Sequence, residues 1–194
     1  VLFDREKIQV WDWAGVNIKN ESQGNEKDST SIQYHVIQKL KEQNFDIIFD
    51  DDNAGEIADV IAIEVDDVNK KVKVELFHLK FSQEDRPGAR INDLYAVNGQ
   101  AQKCVSWLHT RPEHIIGRML RRGASGPKNR YELGTEEQLS IIREKVKSLY
   151  EIEYIVHIVQ PGLSKAAASR EQLKLLSLTE AFLWETRMIK LGVI

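Results

Sequence analysis

Two apolar runs joined by a short polar turn constrain this chain more than any other feature. Ile57 to Val65 is apolar on both alternating faces, as expected of a strand buried inside a sheet. Asp66 to Lys70 supplies turn chemistry, and Val72 to Phe81 returns as a second strand. Val72, Val74 and Leu76 fall on one face of that strand, and Phe77, Leu79 and Phe81 on the other. A turn centred between Val68 and Asn69 sets Asp59 directly opposite His78. Opposed side chains share a face, with Cβ atoms roughly 5 Å apart. Lys80, two residues on, has the same parity as His78, whereas Glu75 has the other and points away. A slip of one residue would break the opposition but keep His78 and Lys80 together.

Three polar groups thus converge on one face of strands otherwise built of Ile, Val, Leu and Phe, and burying such groups unpaired is costly. Two readings fit. In the first, Asp59 gives oxygen to a hard metal ion, the Leu79 carbonyl or His78 adds a ligand, and Lys80 orients or activates water. In the second, Asp59 and Lys80 form an ion pair across a strand end and His78 hydrogen-bonds to it.

The flanking sequence supplies layers for the hairpin. Lys7 to Glu21 reads as one or two short strands with a Trp-rich turn, and Ser22 to Ser29 as loop. Ser29 or Thr30 caps a helix carrying Ile32, Val36, Ile37 and Leu40 at helical spacing. Phe45 to Phe49 is a short strand closed by Asp50-Asp51-Asp52 and Asn53-Ala54-Gly55. After the hairpin, Ile91 to Leu108 reads as a helix burying Leu94, Val97, Ala101, Cys104 or Val105, and Leu108. Pro112 opens another that ends before Gly123, and Arg121 to Arg130 reads as a basic linker. Thr135 caps a helix to about Leu149, Glu151 to Val159 is a strand, and Ser169 to Lys190 a closing helix. This order predicts an α/β fold, a mixed central sheet flanked by helices rather than a doubly wound parallel sheet. Residues 1–30 form an N-terminal strand and loop extension, and 31–194 one compact domain.

Composition narrows the setting. The 194 residues are 42% hydrophobic and 29% charged, which suits one domain with its own core. No apolar run nears the roughly 20 residues of a membrane span, and Asp4-Arg5-Glu6-Lys7 follows the first residues too soon for a secretory signal. One cysteine, Cys104, excludes an internal disulfide and a thiolate-rich zinc site, and a reducing cytoplasmic setting is the default. A net charge of −3 argues against a general polyanion binder but leaves room for a local basic groove. The chain opens on Val1 and closes on Leu191-Gly192-Val193-Ile194, which suggests a piece of a longer protein.

Gly55-Glu56-Ile57-Ala58-Asp59-Val60-Ile61-Ala62, followed after the turn by Glu75-Leu76-Phe77-His78-Leu79-Lys80-Phe81-Ser82, resembles the core of the PD-(D/E)xK nucleases. The resemblance implies a restriction-endonuclease-like core of helix, three strands, helix and strand. It implies cleavage of DNA phosphodiester bonds with Mg2+ or Mn2+. The family's Asp falls on Asp59 and its Lys on Lys80; its middle acidic position falls on His78, a departure. An imidazole there weakens a magnesium site or shifts the metal preference; it can instead contact the scissile phosphate or carry a proton. Glu56 or Gln33 is then a candidate to complete the coordination, and loss of catalysis with retained nucleic-acid binding is the alternative.

More loosely, Ser31-Ile32-Gln33, the His78 to Ser82 strand, Asp93-Leu94-Tyr95 and Gly99 to Gln102 resemble nuclease domains joined to bacterial helicase-like defence proteins. That implies helicase-like domains in the same chain, a role against phage, and an open question of oligomerisation. Arg90, Gln100, Gln102, Arg121 and Arg122 are candidate DNA contacts, against the alternative of solvated helix and linker residues. Some relatives carry a Tyr four residues after the helical Gln, where Ser106 stands here.

Asp50 to Asp52 reads as a solvated loop or a second metal locus, and the four tryptophans (Trp11, Trp13, Trp107, Trp184) as core or interface anchors. His35, His109, His114 and His157 lack metal-ligand spacing, and Cys104 reads as a buried structural thiol. A protein-interaction scaffold with a structural Asp59–Lys80 pair is the third reading.

Overall fold

A six-stranded mixed sheet organises the chain, and its central hairpin is the one the sequence predicts. In the computed structural model, which describes residues 2–125, 128–148 and 150–194, β2 (Val60–Asp66) and β3 (Lys71–Leu79) pair antiparallel from Asp66↔Lys71 to Val60↔Phe77. This is the expected register. It ends one step before Asp59: the Asp59 amide donates to the Phe77 carbonyl at 3.0 Å, so Asp59 and His78 are not a ladder pair. β1 (Ile47–Asp50) pairs antiparallel with β2, and β5 (Glu151–Val159) runs parallel to β3.

Two short edge strands complete the order β4-β1-β2-β3-β5-β6: β4 (Tyr131–Leu133) beside β1 and β6 (Lys190–Val193) beside β5. The sequence reading missed both. Three or four residues are too few to display a period, and β4 is half-buried throughout.

Helices cover both faces, which completes the expected α/β sandwich. Against one face lies α1 (Ile32–Lys41), capped by Ser31, whose side chain accepts from the Tyr34 amide. Its Ile32, Val36, Ile37 and Leu40 pack with Val60, Ala62, Phe77 and Leu79. The other face meets α2 (Asn92–Lys103), α3 (Val105–Leu108), α4 (Pro112–Gly123), α5 (Glu136–Ser148) and α6 (Arg170–Arg187), around Ile61, Ile63, Val72, Val74 and Leu76. The predicted single helix over 91–108 is interrupted at Cys104. That residue keeps helical dihedrals (φ −61°, ψ −23°), so the apolar spacing runs on through the break. Cys104 itself is buried, which pushes its thiol up to about 12 and suits the structural role predicted for it.

Other expectations are corrected. Lys7 to Glu21 forms no strand: a 3-10 turn at Arg5–Lys7 leads to one isolated bridge, Ile8↔Val193, and then to an irregular strap. The strap's Trp11 and Trp13 pack beside α1, with Trp13 5.0 Å from the His35 ring. α6 stops at Arg187, short of Lys190, because Met188 adopts the left-handed conformation (φ 52°) and donates its amide to the Trp184 carbonyl. Trp184 is 53% exposed and anchors no core. The predicted end of α5 at Leu149 lies outside the described residues. Among the described residues no helix is long and apolar enough to cross a membrane.

Candidate functional site

The chain leaves β1 at Asp50 and re-enters the sheet at Val60, and the loop between them gathers three carboxylates. Asn53 (φ 104°) and Gly55 (φ 82°) reverse the chain, and the Glu56 amide donates to the Asn53 carbonyl at 3.0 Å. The fold-back brings carboxylate oxygens of Asp52, Glu56 and Asp59 within 4.8 Å of one another. Among the described residues none of the three has an ion-pair partner.

Asp59 is 5% exposed, and its Oδ2 accepts from the Leu79 amide at 2.8 Å. Burial raises this carboxyl well above its ordinary value, and the charges of Glu56, Glu21 and Asp52 push the same way against the Leu79 bond. Glu56 is raised as well, by burial and then by Asp52. Burial and crowding thus raise two of the three carboxylates, Asp59 and Glu56, and no side-chain cation among the described residues pairs with either. Leu79 meets this group through its N–H, which orients Asp59.

Asp50 and Asp51, in contrast, are buried and paired, which corrects the solvated-loop expectation for this run. Lys128 meets Asp50 at 2.8 Å, and Arg122 meets Asp51 at 2.5 Å. Arg122 also donates to the carbonyls of Asp51 and Ala54, and Arg130 to those of Asp50 and Asp52. The basic stretch 121–130 is therefore a clamp on the acidic loop rather than a free linker; Gly126 and Pro127 lie outside the described residues. Arg118 packs its guanidinium 4.6 Å above the Trp107 ring.

Gln33, from α1, is the hub between strap and loop. Its Nε2 donates to Asp50 Oδ1 (3.1 Å) and to the Asp59 carbonyl (3.3 Å), while its Oε1 accepts from the Gln23 amide. The strap delivers two further groups that the sequence reading missed. Ser22 Oγ donates to Asp52 Oδ2 at 2.5 Å, and Glu21 Oε2 accepts from both Lys80 Nζ (2.8 Å) and the Phe81 amide (3.0 Å). Lys80 thus pairs with Glu21 and not with Asp59. Nothing local marks Glu21, which lies 59 residues from the lysine it meets.

His78 stands apart from the carboxylate cluster. It is 3% exposed, burial pushes its imidazole down to about 3, and it lines a cavity of about 310 Å³ with Gly55, Glu56, Gln100, Lys103 and Trp107. Of the candidate substrate contacts, Gln100 lines this cavity and Arg121 is exposed at the end of α4. The other three are engaged within the fold: Arg90 with Ser82 and the Arg86 carbonyl, Gln102 with Thr179, and Arg122 in the clamp.

Comparison with protein-family profiles, curated proteins and solved structures finds no match to this chain.

Proposed function

We propose that this chain is a metal-dependent nuclease domain that cleaves DNA phosphodiester bonds. The observation that carries the reading is the uncompensated group Asp52, Glu56 and Asp59 at the strand ends, close to the Lys80–Glu21 pair. Its support in the fold is the sequence α1, β1, β2, β3, α2 and β5, with β5 parallel to β3, the order implied by the PD-(D/E)xK resemblance.

The donor set fits a hard divalent cation. All three side chains offer oxygen, as Mg2+ and Mn2+ prefer, and the like charges of Glu56 and Asp52 weigh against ionised Asp59 unless a cation offsets them. Asp52, Glu56 and Asp59 would hold the ion. When bound, such an ion offsets phosphate charge and eases the loss of a proton from water. The Leu79 N–H fixes the orientation of Asp59, and Ser22 fixes that of Asp52. Lys80 offers its ammonium to the developing negative charge, held in place by Glu21. His78 serves the site from the cavity wall beside Glu56 rather than as a member of the cluster. The looser resemblance supports a module of a larger anti-phage protein with helicase-like domains, working in the cytoplasm.

A second reading, a silent DNA-binding domain on the same fold, is favoured by one observation: Glu21 already neutralises Lys80. The test is cleavage of plasmid and single-stranded DNA with Mg2+ or Mn2+ by the wild type, Asp59→Asn and Lys80→Ala. Cleavage lost in both variants is expected. Wild-type cleavage no greater than that of Lys80→Ala overturns the nuclease reading, and salt-sensitive binding without cleavage selects the silent one.

A further inference from the structure

The cavity walled by the Asn53–Ile57 loop, β3, α2 and α3 holds two buried polar atoms that the fold leaves unused. His78 Nε2 and Gln100 Oε1 are both closed to solvent, both belong to residues lining this cavity, and neither has a hydrogen-bond partner among the described residues. Buried polar atoms are nearly always paired, so two orphans in residues that line one cavity leave hydrogen-bonding capacity that a small side-chain rotation turns to an occupant. The wall also carries Trp107, a partly buried indole, and Lys103 at the exposed rim. Glu56 belongs both to this wall and to the carboxylate cluster, so an occupant abuts the cluster directly.

We infer that this cavity receives the base of an unpaired nucleotide next to the phosphate presented to the carboxylates. A nucleobase is planar, and its edge carries donors and acceptors in alternation, which suits a wall with one imidazole nitrogen and one amide oxygen. An indole gives its ring a surface to pack on, and a rim lysine suits the attached phosphate. The volume of about 310 Å³ is at the small end of ligand pockets, sized for one nucleotide and not for duplex. A second metal ion is the poorer occupant, because His78 joins no group of metal-ligating side chains with these acids. The substrate class follows: single-stranded DNA, or duplex with an unpaired base at the site. This inference deepens the nuclease reading of the same site and rests on it for the role of the phosphate.

Binding is measured without cleavage, in EDTA, by fluorescence anisotropy of a short labelled oligodeoxynucleotide, alone and annealed to its complement. The expected result is at least about tenfold tighter binding of the single strand, reduced by about tenfold in Gln100→Ala and in Trp107→Leu, with duplex affinity unchanged. Competition by dAMP but not by deoxyribose 5-phosphate is expected, since the base carries recognition; competition by both equally overturns the inference. Equal affinity for single strand and duplex also overturns it, as does an unchanged single-strand affinity in folded Gln100→Ala, which sits half-buried on a helix and leaves the core intact. The two readings fail separately. Cleavage with Mn2+ but no strand preference sinks the base pocket alone, and strand-selective, Gln100-dependent binding with no cleavage in any metal sinks the nuclease alone.

Discussion

Asp50 and Asp51 sit beside Asp52, Glu56 and Asp59, yet the fold treats the two groups in opposite ways. The first pair is fully buried and matched: Lys128 and Arg122 neutralise the carboxylates, Gln23 shares Asp50 Oδ2 with Lys128, and Gln33 donates to Oδ1. The second group is held in place by N–H and O–H donors and receives no cation from the described residues. Burial alone does not explain the difference: Asp52 and Glu56 are half-buried, but Asp59 is nearly as enclosed as Asp51. The difference is charge compensation. A chain that supplies cations to one set of acids and withholds them from the next, a few residues on, has built a clamp and an open site from the same loop.

The largest effect should come from breaking the clamp. Arg122→Met removes an ion pair with a buried carboxylate and the bonds to three loop carbonyls, so it should destabilise the fold by about 3–5 kcal/mol. Urea unfolding measures this. A loss below about 1 kcal/mol would mean that Asp51 tolerates burial without its partner, and the contrast between the two groups would collapse.

The matching change on the open side is Asp59→Asn, which should lower cleavage by about 10²–10³-fold, some 2.7–4 kcal/mol of barrier, while leaving the fold intact. Asparagine can still accept from the Leu79 amide, so orientation survives and charge alone is removed. Steady-state cleavage with Mn2+ and thermal unfolding, run on the same preparation, separate the two. Unfolding of Asp59→Asn comparable to that of Arg122→Met would show Asp59 to be structural.

How far the sequence foretells this contrast depends on the distance of each partner. The hairpin was legible because two apolar runs joined by a short turn leave one register, which puts Val72, Val74 and Leu76 on a common face. Asp59 and Lys80 were legible as polar interruptions of that pattern. The clamp was not: Arg122 and Arg130 lie some 70 to 80 residues from the acids they hold, and an acidic run looks the same whether solvated or buried. Glu21 was hidden for the same reason, and Asp52 because only the reversal at Asn53 and Gly55 turns it toward Asp59. The overrun of α6 has a local cause. Helices commonly stop on a glycine in the left-handed conformation, and here Met188 takes that conformation without the signal.

Titration should sharpen the same contrast. Asp59 has its carboxyl raised above the ordinary 3.8 by burial and by neighbouring acids, so the folded state holds the proton more tightly than the unfolded one. Stability of the ion-free protein therefore falls as pH rises from 3.8 to the raised folded value and then levels off. Glu56 and Asp51, also raised by burial, add losses of the same sign; Asp59→Asn should lack the Asp59 share and be the more stable of the two at pH 8. On the proposed metal reading a divalent ion should reverse the deficit: at a hundred times its Kd it should stabilise the wild type by about 2.7 kcal/mol and the variant by much less. Thermal unfolding with and without Mn2+ checks both, and equal shifts in the two proteins would place the ion elsewhere.

The smallest effect belongs to Glu21→Gln. The Lys80–Glu21 pair is about one-quarter exposed on each side, and glutamine can keep an acceptor for the Phe81 amide, so stability should change by about 1 kcal/mol or less. Its catalytic effect depends on what Glu21 does for Lys80. If the carboxylate holds the ammonium in position, Glu21→Gln should lower kcat with little change in KM, and Glu21→Asp should recover part of it. If it competes with phosphate for Lys80, the same substitution should lower KM and raise DNA affinity in EDTA. Either result leaves Lys80 inside the site; unchanged kinetics in both variants would remove Glu21 from it and make the strap a cover for α1 alone.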